Sequence, residues 1–333
     1  GFESRSDEAL RFATTLAILQ TYGESADTPL SMQAIVTEDL HVRYRAKNGQ
    51  NVHAVQGLSF EVHPGEIVGF LGPNGAGKSS PLKCLMGFVQ PSAGSCSVFG
   101  LPAGSLEAKR RIGYLPEVAL YYPYLTPLET LTLYGELQGL RGSALKRAAT
   151  DLLEQVGLGQ AMNKLNRSLS KGMLQRVGIA QSLLGDPEVL VLDEMTSGLD
   201  PIGRKELREL LKARQAQGTT LFFSSHELSE VEMLCDRILL IHQGKLIEER
   251  PIQALKDELR QFEITYQGAV SLVDLALEWN ELGHNTYRAR FSDKHNLLKA
   301  LDRVQREGRA VVDVVAQEGS LEEFFVETIG RAA

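Results

Sequence analysis

The sequence predicts an α/β fold: a buried sheet built around a phosphate-binding loop, an antiparallel flank, a helical subdomain, and a small C-terminal α+β domain. Three observations carry this. An apolar run, Ile67-Val68-Gly69-Phe70-Leu71, leads into Gly72-Pro73-Asn74-Gly75-Ala76-Gly77-Lys78-Ser79, of the form GxxxxGK[ST], and then into a helical stretch from Leu82 to Met86. A second apolar run, Val189-Leu190-Val191-Leu192, ends in the paired acids Asp193 and Glu194. A third, Leu221-Phe222-Phe223, runs through Ser224 and Ser225 to His226. Short unbroken apolar runs bounded by turn residues are the pattern of strands buried on both faces.

The strand–loop–helix setting gives the glycine loop its chemistry. Glycines let backbone N–H groups turn inward around a phosphate, and the helix start adds partial positive charge. Lys78 is placed to reach the β- and γ-phosphates, and the Ser79 hydroxyl suits Mg²⁺. The chain is therefore read as binding a nucleoside triphosphate. Its net charge of −7 argues against a broad nucleic-acid footprint, so no nucleic-acid partner is expected. Cys84, Cys96 and Cys235 are scattered without metal-type spacing, which suits a reducing compartment better than a disulfide framework. No apolar stretch approaches the ~18 residues needed to cross a membrane.

Taken in order, residues 1–33 match no signal-peptide pattern and are expected to be an extension, with a weak helical stripe at Leu10, Ala13, Leu16, Ile18 and Leu19. Ala34–Thr37, Leu40–Tyr44 and Leu58–Val62 read as strands of the antiparallel flank. Tyr44 ends one of them and could either stack on an adenine ring or simply pack. Ile112–Leu115 reads as a strand ending in Pro116 and Glu117, and the aromatic stretch Tyr121-Tyr122-Pro123-Tyr124 that follows reads as a docking surface. Two leucine stripes, from Leu128 to Leu140 and from Leu152 to Leu158, predict the helical subdomain over about 118–170. Leu169-Ser170-Lys171-Gly172 opens another helix. The carboxylates Asp193 and Glu194 then suit an Mg²⁺ second shell and the polarisation of an attacking water. His226-Glu227 lacks the second histidine of a zinc HExxH motif, and no GxSxG elbow is present.

Together, and in this order, these motifs resemble the nucleotide-binding subunit of ATP-binding cassette (ABC) transporters over about residues 34–250. The resemblance implies a P-loop NTPase (RecA-like) core and assigns roles position by position. Tyr44 looks like the adenine-stacking aromatic; Gly72, Pro73, Asn74, Gly75, Ala76, Gly77, Lys78, Ser79 and Ser80 form the phosphate loop. Mg²⁺ falls to Ser79, Glu117 and Asp193. Glu194 is the implied catalytic base and His226 the switch that contacts the γ-phosphate. Ser170 and Gly172 look like signature residues that meet ATP across a dimer, and Asp200 like the acid of the loop after Glu194. The implied unit is a homodimer, or a heterodimer with a similar subunit, on a separate integral-membrane permease. That places the chain in the cytoplasm, peripheral on the cytoplasmic face of the cell membrane.

Residues 251–333 read as strands at 262–266, 286–291 and 310–315, alternating with helices near 271–282, 294–307 and 320–329. This tail is similar to the accessory region of ABC export ATPases that handle drugs, lipids or polysaccharide. Several positions depart from the family pattern: Lys171 and Met173 in the signature, Ser80, Pro81 in the loop helix, Glu117, and Met195 where a proline normally stiffens the turn after Glu194. Pro81 is tolerable in the first helical turn, but one position deeper its ring would press on the Gly77 carbonyl. Met195 is expected to loosen its turn. Two alternatives compete with the transporter reading. One is a soluble ATPase acting on nucleic acid or ribosomes, disfavoured by the acidic balance, the single cassette and the short span from Gly72 to Leu169. The other is a hydrolysis-weak, nucleotide-sensing regulator, motivated by Pro81 and Met195.

Overall fold

The apolar run Ile67–Leu71 forms a strand buried along its whole length (β3). In this computed structural model, which describes residues 32–45, 51–317 and 319–332, β3 lies between two parallel neighbours, Thr220–Ser225 (β8) and Arg237–His242 (β9). Beyond β8 come Val189–Asp193 (β7) and Ile112–Leu115 (β6), also parallel. Lys245–Pro251 (β10) pairs antiparallel with β9, and the order is β10-β9-β3-β8-β7-β6.

Alternation along these strands divides the interior into two cores. Ile67, Leu71, Leu190, Leu192, Leu221 and Phe223 face one, while Val68, Phe70, Val189, Val191 and Phe222 face the other. Both faces are covered, which is why the strands are apolar throughout rather than alternating. Gly69 is required by packing: a Cβ there would lie 2.7 Å from the Cys235 Sγ.

The first core is closed by helices. Pro127–Leu137 (α3) opens with a reciprocal capping box between Thr126 and Glu129, and Pro127 stands in its first turn. Gly142–Gln155 (α4) and Lys171–Ser182 (α5) pack beside it. The predicted α3 stripe is only partly interior. Leu131 is buried and Leu137 is exposed, while Leu128 and Leu133 line a groove with Leu145. Tyr122 and Tyr124 are exposed as expected, but Tyr121 is mostly buried against Tyr134, and burial raises its hydroxyl pKa.

The second core is closed by an antiparallel sheet of order β2-β1-β4-β5, formed by Ile35–Arg45 (β1), Asn51–Val62 (β2), Ala93–Val98 (β4) and Leu101–Pro102 (β5), and by Ala108 of the short helix Leu106–Arg110 (α2). The two short strands expected at 34–37 and 40–44 are one strand with a bulge. Asp39 takes φ +45°, the pairing with β2 shifts between Thr37 and Leu40, and the Asp39 N–H turns to the Ser59 hydroxyl. Residues 1–31, and with them the weak N-terminal stripe, lie outside the described residues.

The chain then adds a four-stranded antiparallel sheet of order β12-β13-β11-β14: Gln261–Gln267 (β11), Glu278–Gly283 (β12), Thr286–Phe291 (β13) and Val311–Gln317 (β14). Lys294–Arg306 (α9) packs on it through Leu297, Ala300 and Val304. The helix expected near 271–282 is absent, because residues 278–283 are strand β12. His284 and Asn285, both with positive φ, make a two-residue turn that returns the chain as β13. That turn and the stacking of Trp279 on Tyr287 favour the paired strand over the helix. Ile252–Leu259 (α8) and Leu321–Ala332 (α10) return to the first core through Ile252, Leu255 and Leu321, with Phe324 and Phe325 packed against it.

Candidate nucleotide-binding and hydrolysis site

The phosphate loop is held from behind by backbone. A Cβ on Gly72 would lie 2.4 Å from the Ile241 carbonyl, and one on Gly77 2.2 Å from that of Ala54. Gly77 also takes φ +105°, and Gly75 takes φ +81° with nothing near its outer side. The Gly244 N–H donates to the Ala76 carbonyl at 2.9 Å, tying the β9–β10 hairpin to the loop. Closed behind and open in front, the loop is shaped for an anion approaching its backbone.

The loop helix is Ser79–Leu85 (α1). Pro81 sits in its first turn, and the Gly77 carbonyl it cannot serve accepts the Ser80 N–H at 3.1 Å. The ring is thus accommodated at the helix start. Lys78 folds across the loop, donating from Nζ to the carbonyls of Gly72 at 2.7 Å and Pro73 at 3.3 Å. Burial lowers its pKa, while the charges of Glu194, Asp193 and Glu117 work in the opposite direction. All three acids therefore lie within electrostatic reach of one lysine. Glu117 itself is exposed, just past β6.

Asp193 ends β7 almost fully buried, and one of its oxygens, Oδ1, accepts from Ser224 at 2.5 Å and from Ser79 at 3.4 Å. The hydroxyl turned to the carboxylate is thus Ser79's, whereas Ser80 is buried and accepts from the Tyr44 hydroxyl at 3.2 Å. Tyr44 therefore reaches the loop helix from the antiparallel flank. Among the described residues no group of three His, Cys, Asp or Glu side chains could hold a metal on its own. A serine hydroxyl beside one carboxylate instead fits Mg²⁺, a hard cation that takes most of its ligands from phosphate and water.

Glu194 follows with φ +50°, an uncommon conformation for a residue with a side chain. Its N–H donates to both the carbonyl and the hydroxyl of Ser224 at 3.2 Å. Its Oε2 stands 2.6 Å from Nδ1 of His226, whose side chain is more than half exposed. The turn beyond is not loose, contrary to the expectation for Met195. The Met195 side chain is 1% exposed, its carbonyl accepts from buried Gln175 at 3.0 Å, and the Ser197 N–H returns to the Glu194 carbonyl at 3.1 Å.

Ser170 caps α5, accepting the Met173 N–H at 3.2 Å. A Cβ at Gly172 would come 2.6 Å from the Gly198 carbonyl, so the start of α5 rests on the turn after Glu194. Asp200 caps Pro201–Ala216 (α6) through the Gly203 N–H at 3.1 Å. Lys78, Ser79, Asp193, Glu194 and His226 are thus gathered at the C-terminal ends of three adjacent parallel strands. Ser170, Gly172 and Asp200 make their contacts on α5, α6 and the turn between them and the sheet. Sequence reasoning passed over Ser224 and Gln175. Ser224 shows as a polar residue following the apolar run of β8, whereas Gln175 is one of several polar residues along α5 and only its burial marks it out.

Residues 55–197 match the family model described as ABC transporter. An uncharacterized ABC transporter ATP-binding protein of Nostoc sp. is 37% identical over 94% of this chain and 96% of its own length. The Nod factor export ATP-binding protein I of Rhizobium etli is 33% identical over 92% of this chain and 96% of its own. A dimeric ATP-binding cassette solved in a post-hydrolysis state with ADP and Pi superposes with a TM-score of 0.61, at 23% identity, over 66% of this chain and 98% of that one. That last likeness is one of fold. Among the described residues no helix is long and apolar enough to cross a membrane.

Proposed function

The chain belongs to the ABC transporter ATP-binding family, and from that premise we propose that it is the ATPase subunit driving export through a separate membrane permease, by ATP-dependent pairing of two cassettes. The observation that carries the reading is the Glu194–His226 contact at 2.6 Å, at the end of the strand whose Asp193 faces Ser79. Export is supported by the name of the Rhizobium etli relative and by the C-terminal tail.

In this reading the loop N–H groups and Lys78 bind the β- and γ-phosphates of ATP, and Tyr44 stacks on the adenine. Ser79 and Asp193, with Glu117 beside them, hold Mg²⁺, which when bound neutralises phosphate charge. His226 holds one oxygen of the Glu194 carboxylate and leaves the other to orient water and accept its proton. Ser170, Gly172 and the start of α5 present N–H groups to an ATP lodged on the second cassette, and Asp200 lines the same interface. The nucleotide is then part of the contact between cassettes, and its hydrolysis releases that contact. The groove lined by Leu128, Leu133 and Leu145, with Tyr122 and Tyr124 nearby in the chain, is the surface offered to a permease on the cytoplasmic face.

The test is size-exclusion chromatography of Glu194→Gln with and without Mg-ATP. A shift from one copy to two on adding nucleotide is expected. Binding of ATP by the variant with no shift, even with membranes containing the permease, would overturn the paired-cassette mechanism.

A further inference from the structure

One cation joins the turn that follows Glu194 to the loop that carries His226. Arg204, in the second turn of α6, donates from Nε to the Leu199 carbonyl at 3.3 Å, and from Nη1 to the Glu227 carboxylate. Leu199 lies in the turn that begins at Glu194, and Glu227 is the neighbour of His226. Since His226 Nδ1 stands 2.6 Å from Glu194 Oε2, the contacts close a ring: Glu194, the 195–199 turn, Arg204, Glu227, His226, and back to Glu194. Besides Arg204, the Ser225 hydroxyl holds the Glu227 backbone, accepting its N–H at 2.9 Å and donating to its carbonyl at 3.4 Å, and the chain leads directly into the short helix Leu228–Leu234 (α7).

We propose that Arg204 is a positioning residue for ATP hydrolysis, which sets the distance between His226 and Glu194 by gripping Leu199 and Glu227 at once. The proposal rests on the hydrolytic reading above. Its physical basis is the planar guanidinium, which presents donors in fixed directions to two acceptors on different loops. Without it the Glu227 carboxylate, already a quarter exposed, turns to water and the loop beside it loses its anchor. Misplacement of a reacting group by about 1 Å is enough to cost orders of magnitude in rate.

The same two helices supply an internal control. One turn further along, Arg208 Nη1 donates to both oxygens of Glu230 at 2.8 Å, and this pair is more deeply buried, with Glu230 4% exposed. It braces α6 against α7 but touches neither loop. Breaking it costs stability, because a buried carboxylate is left without its partner.

The experiment compares steady-state and single-turnover ATPase rates of the full chain, Arg204→Met, Arg204→Lys, Arg208→Met and Glu194→Gln, with melting temperatures for each. Arg204→Met is expected to lower kcat about tenfold or more while KM changes by less than about threefold. Arg204→Lys, which keeps the charge but not the fork, recovers part of that loss. Arg208→Met melts earlier than Arg204→Met yet keeps kcat within about threefold of the parent. A kcat for Arg204→Met within about twofold of the parent overturns the proposal, as does an equal kcat loss in Arg208→Met. The hydrolytic reading fails separately: in that case the parent has no activity, or Glu194→Gln keeps it in full.

Discussion

The sheet that carries the loop and the C-terminal sheet place polar groups in opposite ways. In the first, β3, β7 and β8 are buried at every residue, and apart from Thr220, whose hydroxyl accepts the Gly65 N–H at 3.0 Å, their polar residues stand at the C-terminal ends. There Asp193, Ser224, Glu194 and His226 meet at hydrogen-bonding distance, with Glu194 held at positive φ. In the second, apolar and polar residues alternate along β11 and β13. Its charges are paired across the strands, Arg288 and Arg290 with Glu263, and Arg290 with Glu278. The first sheet accepts backbone strain and a partly desolvated lysine in order to place reactive groups. The second pairs Arg288, Arg290, Glu263 and Glu278 across its strands, with only the Arg290 Nε left without a partner among them, and no non-glycine residue within its strands takes a positive φ. In the first sheet the polar groups gather at one end of the strands, whereas in the second they pair with one another across the strands.

The sharpest way to break this contrast is at the acid. Glu194→Gln should cut kcat about a thousandfold while ATP binding, followed with a fluorescent analogue, stays near the parent value. A comparable fall in kcat from any substitution in β11–β14 would erase the distinction between the sheets. Next comes Gly77→Ala. The added Cβ would meet the Ala54 carbonyl at 2.2 Å from a φ of +105°, so ATP affinity should fall by about a hundredfold, read by equilibrium titration. The matched change in the second sheet is Trp279→Ala. It removes the stack on Tyr287 and the bond to the Tyr266 hydroxyl at 2.6 Å, and should lower stability by about 2–3 kcal/mol in denaturant titration with kcat unchanged.

Smaller effects sharpen the contrast further. Burial works to raise the Glu66 carboxyl, but hydrogen bonds from Arg237 and the His63 N–H, with the Arg237 charge, outweigh it and hold its pKa below the usual 4.5. A depressed carboxyl stabilises the fold fully above its unfolded pKa and loses that contribution as pH falls through the folded value. Glu66→Gln should therefore flatten the acid side of a stability-versus-pH curve below 4.5 and leave pH 8 to 9 unchanged in slope. Least of all, Glu278→Gln, which breaks an exposed pair with Arg290, should move stability by less than about 0.5 kcal/mol.

Much of the loop-bearing sheet and its site was legible in the sequence, since short apolar runs ending in polar residues have few other uses. The phosphate loop and the Asp193-Glu194 pair could be named from the residues themselves, and His226 from the family resemblance that their order carries. Less was legible at the C-terminus, where a helix is expected near 271–282 and the chain from Glu278 is instead a strand that the His284-Asn285 turn pairs with the next. Turn geometry depends on two residues with positive φ, which the residue pattern of the preceding stretch does not display. Met195 misled for a related reason. Removing a proline frees a turn only where nothing else holds it, and here Gln175 and the core do.

By itself the sequence determined which groups are present: a glycine loop for phosphate, a lysine and a serine beside it, two acids and a histidine at strand ends. Local chemistry decides these, and residue order displays it. Only the tertiary structure decided how they cooperate. That the Ser79 hydroxyl faces Asp193 while Ser80 is taken by Tyr44 depends on strands far apart in the chain. So does the ring from Glu194 through Arg204 and Glu227 to His226. Those pairings arise when parallel strands and the helices between them pack, and no spacing along one strand encodes the distance between two loops.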